Sequence, residues 1–247
     1  MRPIDQRLQE ARRAERWTQV YRDAPETFRA FEAAEDPGGL AARRMVQLAK
    51  LQGKRVLEIG SGTGWLTRYV DEVAARHVAV EPEAAMIASA MDLGDAKVLR
   101  ARGESLPFAP GSFDAAVMSW VLLDLRPELR TKVLRQCDRV LGSGLPSSPS
   151  TEQLGTWVIE NAGTGEFQEL RGIEDPGGLG EVAPLVHDCG FELVEVVETE
   201  MRFPNAATAE ATLGAILGDQ VRRKLQAEPR SSLSLDLAIL FRPMGQG

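Results

Sequence analysis

Apolar positions recur along the chain in two alternating patterns. One pattern is a short continuous apolar run of strand length, and the other is a stretch whose apolar residues stand three and four positions apart. The second pattern predicts helices near residues 66–73, 83–90, 128–141 and 179–189. Strands that alternate with helices are typical of βαβ units, whose parallel sheet is covered on both faces. We therefore predict a doubly wound α/β fold. The apolar runs of strand length cover residues 55–59, 77–80, 97–100, 113–120, 156–161, 191–197 and 233–241.

The residues before the first strand predict a helical extension. Apolar residues between Ile4 and Tyr21 recur at helical spacing, and the other face of this helix carries several arginines. We interpret that face as solvated rather than as a basic binding surface, because glutamates are interspersed. A turn at residues 36–39 then precedes a second helix. We expect one domain over residues 1–247, with an N-terminal helical cap at 1–39, a core at 40–247 and a helical insertion over the crevice at 204–230.

Composition narrows the possible functions. With 247 residues and 43% hydrophobic content, the chain can bury one large core. A formal net charge of -7 argues against general attraction to nucleic acid or to an anionic membrane. No segment has the pattern of a signal peptide or a membrane span, so we expect a cytoplasmic protein. Cys137 and Cys189 lie far apart and no Asp/Asn cluster stands out, so we predict neither a disulfide framework nor a metal site.

A glycine-rich turn follows the first predicted strand. Gly60, Gly62 and Gly64 stand at alternate positions before a helix, and glycine permits positive φ and the close approach of a ligand to backbone amides. The next strand ends in Glu81, at the same edge of a parallel sheet, where a carboxylate can accept two hydrogen bonds from ribose hydroxyls. The combination predicts a site for a nucleoside-containing ligand. A purely structural turn is the alternative.

The spacing of the glycines bears on which nucleoside binds. GxGxG preceded by Glu58 differs from the GxGxxG arrangement that seats a dinucleotide pyrophosphate. A carboxylate beside the turn repels phosphates and favours a cationic group such as the ammonium of a methionine portion. A nicotinamide-dependent oxidoreductase is therefore disfavoured.

Three stretches of this sequence resemble the class I S-adenosylmethionine-dependent methyltransferases, in particular the branch of ubiquinone and menaquinone biosynthesis. They are VLEIGSGTGWLTRYV, VAVEPEAAMIASA and ESLPFAPGSFDAAVMSWVLLDL, and together they span about residues 54–125. The resemblance implies a Rossmann-like, seven-stranded, mostly parallel sheet with helices on both faces and an antiparallel last strand. It implies S-adenosylmethionine as the cofactor and a small-molecule methyl acceptor as the partner.

The resemblance also implies roles for individual residues. The glycine turn would line the methionine portion with Glu58 nearby, and the acid after the second strand would hold the ribose. Two residues would flank the adenine, three would lie along its edge, and two would stand close to the sulfonium. The turn residues are Gly60, Ser61 and Gly62, and the acid is Glu81. The residues that would flank the adenine are Pro82 and Met86, and those along its edge are Gly103, Glu104 and Ser105. The two close to the sulfonium are Ser119 and Trp120.

Two departures from the family pattern concern the adenine contact and the catalytic edge. Arg102 stands where members often have an acid that accepts the adenine amino hydrogen, so this contact passes to Glu104 or to backbone groups. Leu123-Asp124 stands where members often have a histidine. The missing histidine motivates a second hypothesis, a catalytically silent relative that binds the cofactor and acts as an accessory or regulatory protein.

Methyl transfer from a sulfonium is an in-line displacement, for which proximity and orientation can supply about 7 to 11 kcal/mol of the barrier. A base is needed only for some acceptors. Asp124 is the candidate base, with a surface or helix-capping role as the alternative. We interpret His77 and His187 as structural.

Substrate choice is expected to depend on the elements added around the crevice. Trp17 and Tyr21, followed by Phe28 and Phe31, and the helical pattern within residues 204–228 could roof a pocket for a small, partly apolar acceptor. Packing on the domain is an equal alternative. The acceptor, the atom that is methylated and the oligomeric state stay open.

Overall fold

The sheet has seven strands in the order β3-β2-β1-β4-β5-β7-β6. The computed structural model describes residues 19–20, 23–90, 97–142, 154–173 and 179–245. Strands β1 to β5 are parallel, and β7 runs antiparallel to both of its neighbours. The predicted fold class is confirmed. The strands are β1 Arg55–Ile59, β2 Arg76–Glu81, β3 Lys97–Arg100, β4 Ala115–Ser119, β5 Gly155–Asn161, β6 Glu192–Arg202 and β7 Ser232–Pro243.

Helices cover both faces of this sheet. Val56 and Leu57 are neighbours on β1 but belong to different core clusters, because successive side chains of a strand point to opposite faces. One cluster joins the sheet to α1, α2, α3, α4, α6, α8 and α9, and the other joins it to α5 and α7. The helices are α1 Pro25–Ala34, α2 Leu40–Leu48, α3 Thr67–Asp71, α4 Ala84–Ser89, α5 Pro127–Val140, α6 Glu166–Arg171, α7 Ala183–Cys189 (preceded by a 3-10 turn at Gly180–Val182), α8 Ala206–Leu217 and α9 Asp219–Ala227.

The strand order reverses between β1 and β4. The chain runs from β1 outward to β3 and then returns to the other side of β1. In such sheets a crevice opens at the carboxyl ends of the strands next to the reversal, and ligands bind there. The glycine turn after β1 and Glu81 at the end of β2 both lie at this edge.

Several elements differ from the sequence prediction. Strand β6 continues to Arg202, five residues beyond the predicted end at Val197, and pairs with β7 along this extension. Four of its five extra residues are polar and only Met201 is apolar, which suits a partly solvated edge strand. Helix α6 was not predicted, because six residues between Gly165 and Gly172 are too few to show a clear period. The predicted insertion at 204–230 contains two helices, which separate at Gly218, where φ is +94°.

The junction between α1 and α2 is held against β6 by one side chain. Asp36 accepts hydrogen bonds from the amides of Leu40 and Ala41, both at 2.9 Å, and from the hydroxyl of Thr199 at 2.8 Å. Its own amide donates to the carbonyl of Glu200 at 3.0 Å. These bonds fix the end of α1 beside the sheet edge where the crevice opens.

Trp17 and Tyr21, the predicted substrate residues, lie outside the described residues. Within the described part of the chain, every helix is too short or too polar to cross a bilayer.

Candidate functional site

A cavity of about 290 Å³ lies at the carboxyl ends of β1, β2, β4 and β5. Its floor comes from the turns that follow these strands, and its roof comes from α1, α6 and the end of α8. The side chains that line it include apolar, aromatic and acidic groups. They belong to Phe28, Phe31, Glu32, Glu35, Ile59, Ser61, Val80, Glu81, Pro82, Glu83, Met86, Ala101, Arg102, Glu104, Ser119, Trp120, Val121, Asp124, Leu125, Leu129, Val133, Asn161, Phe167, Arg171 and Leu217, with Gly60, Gly62 and Gly103 between them.

The glycine turn adopts the backbone that its sequence predicts. Gly60, Gly62 and Gly64 have φ of +75°, +56° and +99°, a region that side chains with a β-carbon rarely occupy. A β-carbon on Gly60 would stand 2.5 Å from Cγ2 of Val121, on the turn after β4. The turn therefore holds its shape and its close approach to β4 only with glycine at this position.

Replacement of Gly60 by alanine is expected to lower the free energy of unfolding by roughly 2 to 4 kcal/mol, from the backbone strain together with the overlap with Val121. Gly53→Ala is the matched control, because Gly53 has φ of +74° but nothing lies within 4 Å of an added β-carbon. Urea unfolding of both variants measures the difference. Equal losses would show that the overlap with Val121 has no energetic consequence.

Glu81 connects the end of β2 to the glycine turn. One of its carboxylate oxygens accepts a hydrogen bond from the amide of Gly62 at 3.0 Å, and the other accepts from the amide of Glu83 at 2.9 Å. The side chain is 6% exposed, and burial raises the pKa of its carboxyl group. The turn and the acid thus face one cavity, as the sequence interpretation requires.

Trp120 directly follows β4 and has a strained backbone conformation. Its φ is +51°, which is an outlier for a bulky residue. The indole Nε1–H donates to Oδ1 of Asn161 at 3.1 Å, and the ring lies 4.7 Å, centroid to centroid, from that of Trp65. Such strain persists only where surrounding contacts hold it, and it clusters at functional sites.

Residues 57–144 match the sequence pattern of a family described as "Methyltransferase domain". The chain therefore carries a methyltransferase domain. The matched segment begins within β1, extends beyond β4 and includes the glycine turn and the acid after β2. A search of curated proteins returned no match.

Solved structures with the same fold include methyltransferases. A protein from Anaeromyxobacter dehalogenans described as a "putative Type II methyltransferase" superposes with a TM-score of 0.56 at 16% identity, over 82% of this chain and 96% of that chain. The YcgJ protein of Bacillus subtilis gives a TM-score of 0.53 at 15% identity, over 81% of this chain and 96% of that one. At such low identities these similarities describe the fold alone.

The cavity of the methyltransferase domain fits a ligand with hydrogen-bonding groups and positive charge. The hydroxyl of Ser61 is buried without a hydrogen-bond partner at the cavity wall. Six carboxylates and two guanidinium groups line the cavity, and both guanidinium groups form ion pairs, Arg102 with Glu104 and Arg171 with Glu181. The six are Glu32, Glu35, Glu81, Glu83, Glu104 and Asp124.

Most of the cofactor residues predicted from the sequence reach this cavity. Gly60, Ser61, Gly62, Glu81, Pro82, Met86, Gly103, Glu104, Ser119 and Trp120 line it, together with the candidate base Asp124. Ser105 is not among the lining residues, and its amide donates to the carbonyl of Arg102 at 3.0 Å. Arg102 itself lines the cavity and donates to the Glu104 carboxylate at 2.9 Å.

Glu58 points away from the cavity. One oxygen of its carboxylate accepts a hydrogen bond from the hydroxyl of Thr67 at 2.9 Å and lies 3.0 Å from Nε2 of His77. Both Glu58 and His77 are buried. The structure therefore places Glu58 in a contact between β1, β2 and α3 and does not bring it to the ligand side of the turn.

The carboxylate that faces the glycine turn belongs to Glu32 on α1. A β-carbon on Gly62 would lie 3.2 Å from Oε1 of Glu32, and the amide of Thr63 donates a hydrogen bond to the same carboxylate. The pKa of Glu32 is raised to about 8, mainly by burial. The neighbouring carboxylates of Glu58 and Glu81 contribute to this rise, and the hydrogen bond from Thr63 opposes it.

Glu35, at the end of α1, is the second acid that the sequence analysis missed. It is 4% exposed, and burial, followed by the charge of Glu32, raises its pKa well above the usual value. A sequence signal for both acids exists. Phe28, Phe31, Glu32 and Glu35 follow the i, i+3, i+4, i+7 pattern of a buried helix stripe, so the glutamates occupy positions where apolar residues are expected.

The part of the cavity beyond Trp120 is lined largely by residues outside the matched segment. We call it the acceptor half. Arg171 lies here over the ring of Phe167, and its guanidinium binds both oxygens of Glu181 at 2.8 and 3.1 Å. Within the described residues, no group of three His, Cys, Asp or Glu side chains is placed to hold a metal ion. The acceptor half consists of Phe28, Phe31, Glu35, Trp120, Asp124, Asn161, Phe167, Arg171 and Leu217.

Proposed function

We propose that the protein transfers the methyl group of S-adenosylmethionine to a small-molecule acceptor by in-line displacement. The observation that carries this proposal is the cavity in which the glycine turn and Glu81 meet a partly aromatic second half. A cavity of about 290 Å³ with aromatic walls and a few polar groups suits a small molecule.

We assign the cofactor contacts by the family resemblance, and the positions of these residues in the cavity support the assignment. Gly60, Ser61 and Gly62 border the methionine portion, and Glu32 supplies the nearby carboxylate that the sequence analysis assigned to Glu58. Glu81 binds the ribose hydroxyls. Pro82 and Met86 flank the adenine, Gly103 and Glu104 lie along its edge, and Ser119 and Trp120 stand next to the reacting end.

The bound cofactor supplies a methyl group activated by the positive charge on sulfur. The protein's own task is then to align the acceptor and to keep water out, and proximity supplies most of the effect. Helices α1 and α8, which pack against each other, cover the cavity with Phe28, Phe31 and Leu217. We infer that residues 1–39 and 204–230 cap a single methyltransferase unit and set its substrate range. By analogy with the family that the sequence resembles, the acceptor is a quinone-type compound or another secondary metabolite.

Asp124 is the group we assign to accept a proton where the acceptor must lose one. The Asp124→Asn variant is expected to retain its affinity for S-adenosylmethionine within about threefold and to lose roughly a hundredfold or more in turnover, since a positioned base contributes about 10² to 10⁴. Glu72→Gln, a change at an exposed position outside the cavity, is the control. Unchanged turnover of Asp124→Asn would exclude Asp124 as the base.

Calorimetric titration with S-adenosylmethionine, its demethylated product and NAD tests the function as a whole. Binding of the first two and a gain of one methyl group by a compound in host extracts, followed by mass spectrometry, are the expected results. Binding of NAD alone would contradict the methyltransferase function. Cofactor binding without transfer to any acceptor would instead favour the silent relative.

A further inference from the structure

The acceptor half contains a buried carboxylate that nothing in the described structure satisfies. The Glu35 side chain lines the cavity at 4% exposure, and no hydrogen bond or ion pair reaches its carboxylate from the described residues. A buried carboxylate without a partner is costly, and proteins usually pair such a group or neutralise it. The position therefore calls for a ligand group that donates hydrogen bonds.

The backbone around Glu35 is fixed, so the side chain cannot easily turn outward. Glu35 forms a β-bridge with Met201 on β6, and the following residue, Asp36, binds α2 and β6 through its carboxylate and its amide. The end of α1 is thus held at the sheet edge, with Glu35 at the cavity wall.

The positively charged side chain that lines the acceptor half, Arg171, already forms hydrogen bonds within the protein. The guanidinium of Arg171 binds Glu181 with two hydrogen bonds and Gln168 with a third at 2.7 Å. Asp124 adds a second acid to the same half of the cavity. An anionic ligand would raise the pKa of Glu35 further and is disfavoured there, whereas a cationic ligand would lower that pKa, draw Glu35 into its ionised form and is favoured.

The walls of the acceptor half suit a cation with an apolar body. Phe31, Trp120 and Phe167 line it beside Glu35, and aromatic faces attract ammonium groups. A protonated amine joined to a short apolar group would contact both kinds of surface at once.

We propose that the methyl acceptor carries a protonated amine, and that Glu35 binds this amine within the acceptor half. The inference rests on the proposed function and names its substrate class. The amine donates charge-assisted hydrogen bonds to the Glu35 carboxylate, which thereby gains the partner that it lacks among the described residues.

The test compares ligands of matched shape on protein saturated with the demethylated cofactor product. Calorimetry with 2-phenylethylamine, 2-phenylethanol and 3-phenylpropanoate is expected to show the amine binding at least about tenfold more tightly than the alcohol, and the carboxylate more weakly than both. Equal or tighter binding of the alcohol or the carboxylate overturns the proposal. So does the failure of a series of primary amines, from methylamine to 2-phenylethylamine, to bind the saturated protein.

The Glu35→Gln variant assigns the preference to one side chain. It should lose about tenfold or more in amine affinity and keep its affinity for the alcohol and for the demethylated product, whose unchanged binding also reports a folded protein. Glu192→Gln, at an exposed position on β6, should behave as the unmodified protein. A preference for the amine that survives Glu35→Gln overturns the role of Glu35. If the demethylated product does not bind at all, the proposed function fails first, and that outcome is distinct from a failure of amine selectivity.

Discussion

Replacement of Glu81 by alanine is expected to weaken the binding of S-adenosylmethionine by roughly 2 to 4 kcal/mol, which corresponds to about 30- to 1,000-fold in the dissociation constant. The magnitude follows from the loss of two charge-assisted hydrogen bonds to the ribose, each worth about 1.5 to 3 kcal/mol and partly replaced by water. Calorimetry with the cofactor and with its demethylated product provides the measurement.

The same carboxylate also supports the protein without its ligand. It accepts hydrogen bonds from the amides of Gly62 and Glu83, so the alanine variant should also unfold more easily. Titrations therefore belong well below the melting temperature, and Glu81→Gln, which keeps the volume and one acceptor oxygen, should give an intermediate loss of affinity. Glu72→Ala, at an exposed position, is the control. An unchanged dissociation constant for Glu81→Ala would place the ribose elsewhere.

Replacement of Glu32 by glutamine is expected to make the protein more stable at alkaline pH. The folded state holds the Glu32 proton up to a pKa of about 8, whereas the unfolded chain releases it near the ordinary value of 4.5. Between these values the folded state binds more protons, so stability falls as the pH rises, and it levels off above the folded pKa. From about pH 6 to pH 9 the ionisation of Glu32 should remove roughly 2 to 3 kcal/mol, and Glu32→Gln should escape this loss.

Urea unfolding of both proteins at the two pH values measures this effect. The difference between variant and parent reports the ionisation of Glu32 together with its charge coupling to Glu35 and Glu81, because groups that are not coupled to Glu32 contribute equally to both proteins. Glu26→Gln on the same helix is the matched control, since the bond to Arg29 lowers the pKa of Glu26 and keeps it charged throughout this range. A stability gap between Glu32→Gln and the parent that does not widen with pH would mean that Glu32 is ionised in the folded protein at neutral pH.

The glycine turn and Glu81 were predictable because their signals are local. Glycines at alternate positions after an apolar strand define the turn, and an acid at the end of the next parallel strand must lie at the same edge of the sheet. The bounds of β1 at Arg55–Ile59 and of β3 at Lys97–Arg100 agree with the prediction for the same reason, since each is a short run with clear flanks. The edge strand β6 was harder to predict, because solvent on one face breaks its apolar run with glutamates.

Local sequence patterns did not predict which carboxylate, that of Glu58 or that of Glu32, lies beside the glycine turn. Glu58 stands two residues before Gly60 in sequence, yet alternation along β1 turns its side chain toward Thr67 and His77. Glu32 lies far from the turn in sequence, and the packing of α1 across the crevice brings its carboxylate beside Gly62. Proximity along the chain does not determine which face of a strand a side chain occupies relative to a ligand.

By itself the sequence determined the α/β class, the glycine turn, the acid that closes β2 and the nucleoside chemistry they imply, because hydrophobic period and glycine content act over a few neighbouring residues. Only the tertiary structure decided which carboxylates enter the cavity and what forms its acceptor half. Those features depend on contacts such as the hydrogen bond from Thr199 to Asp36, which joins positions 163 residues apart and seats α1, with Glu32 and Glu35, over the sheet edge. Contacts between residues so far apart in the sequence produce no periodic pattern of apolar positions from which they could be predicted.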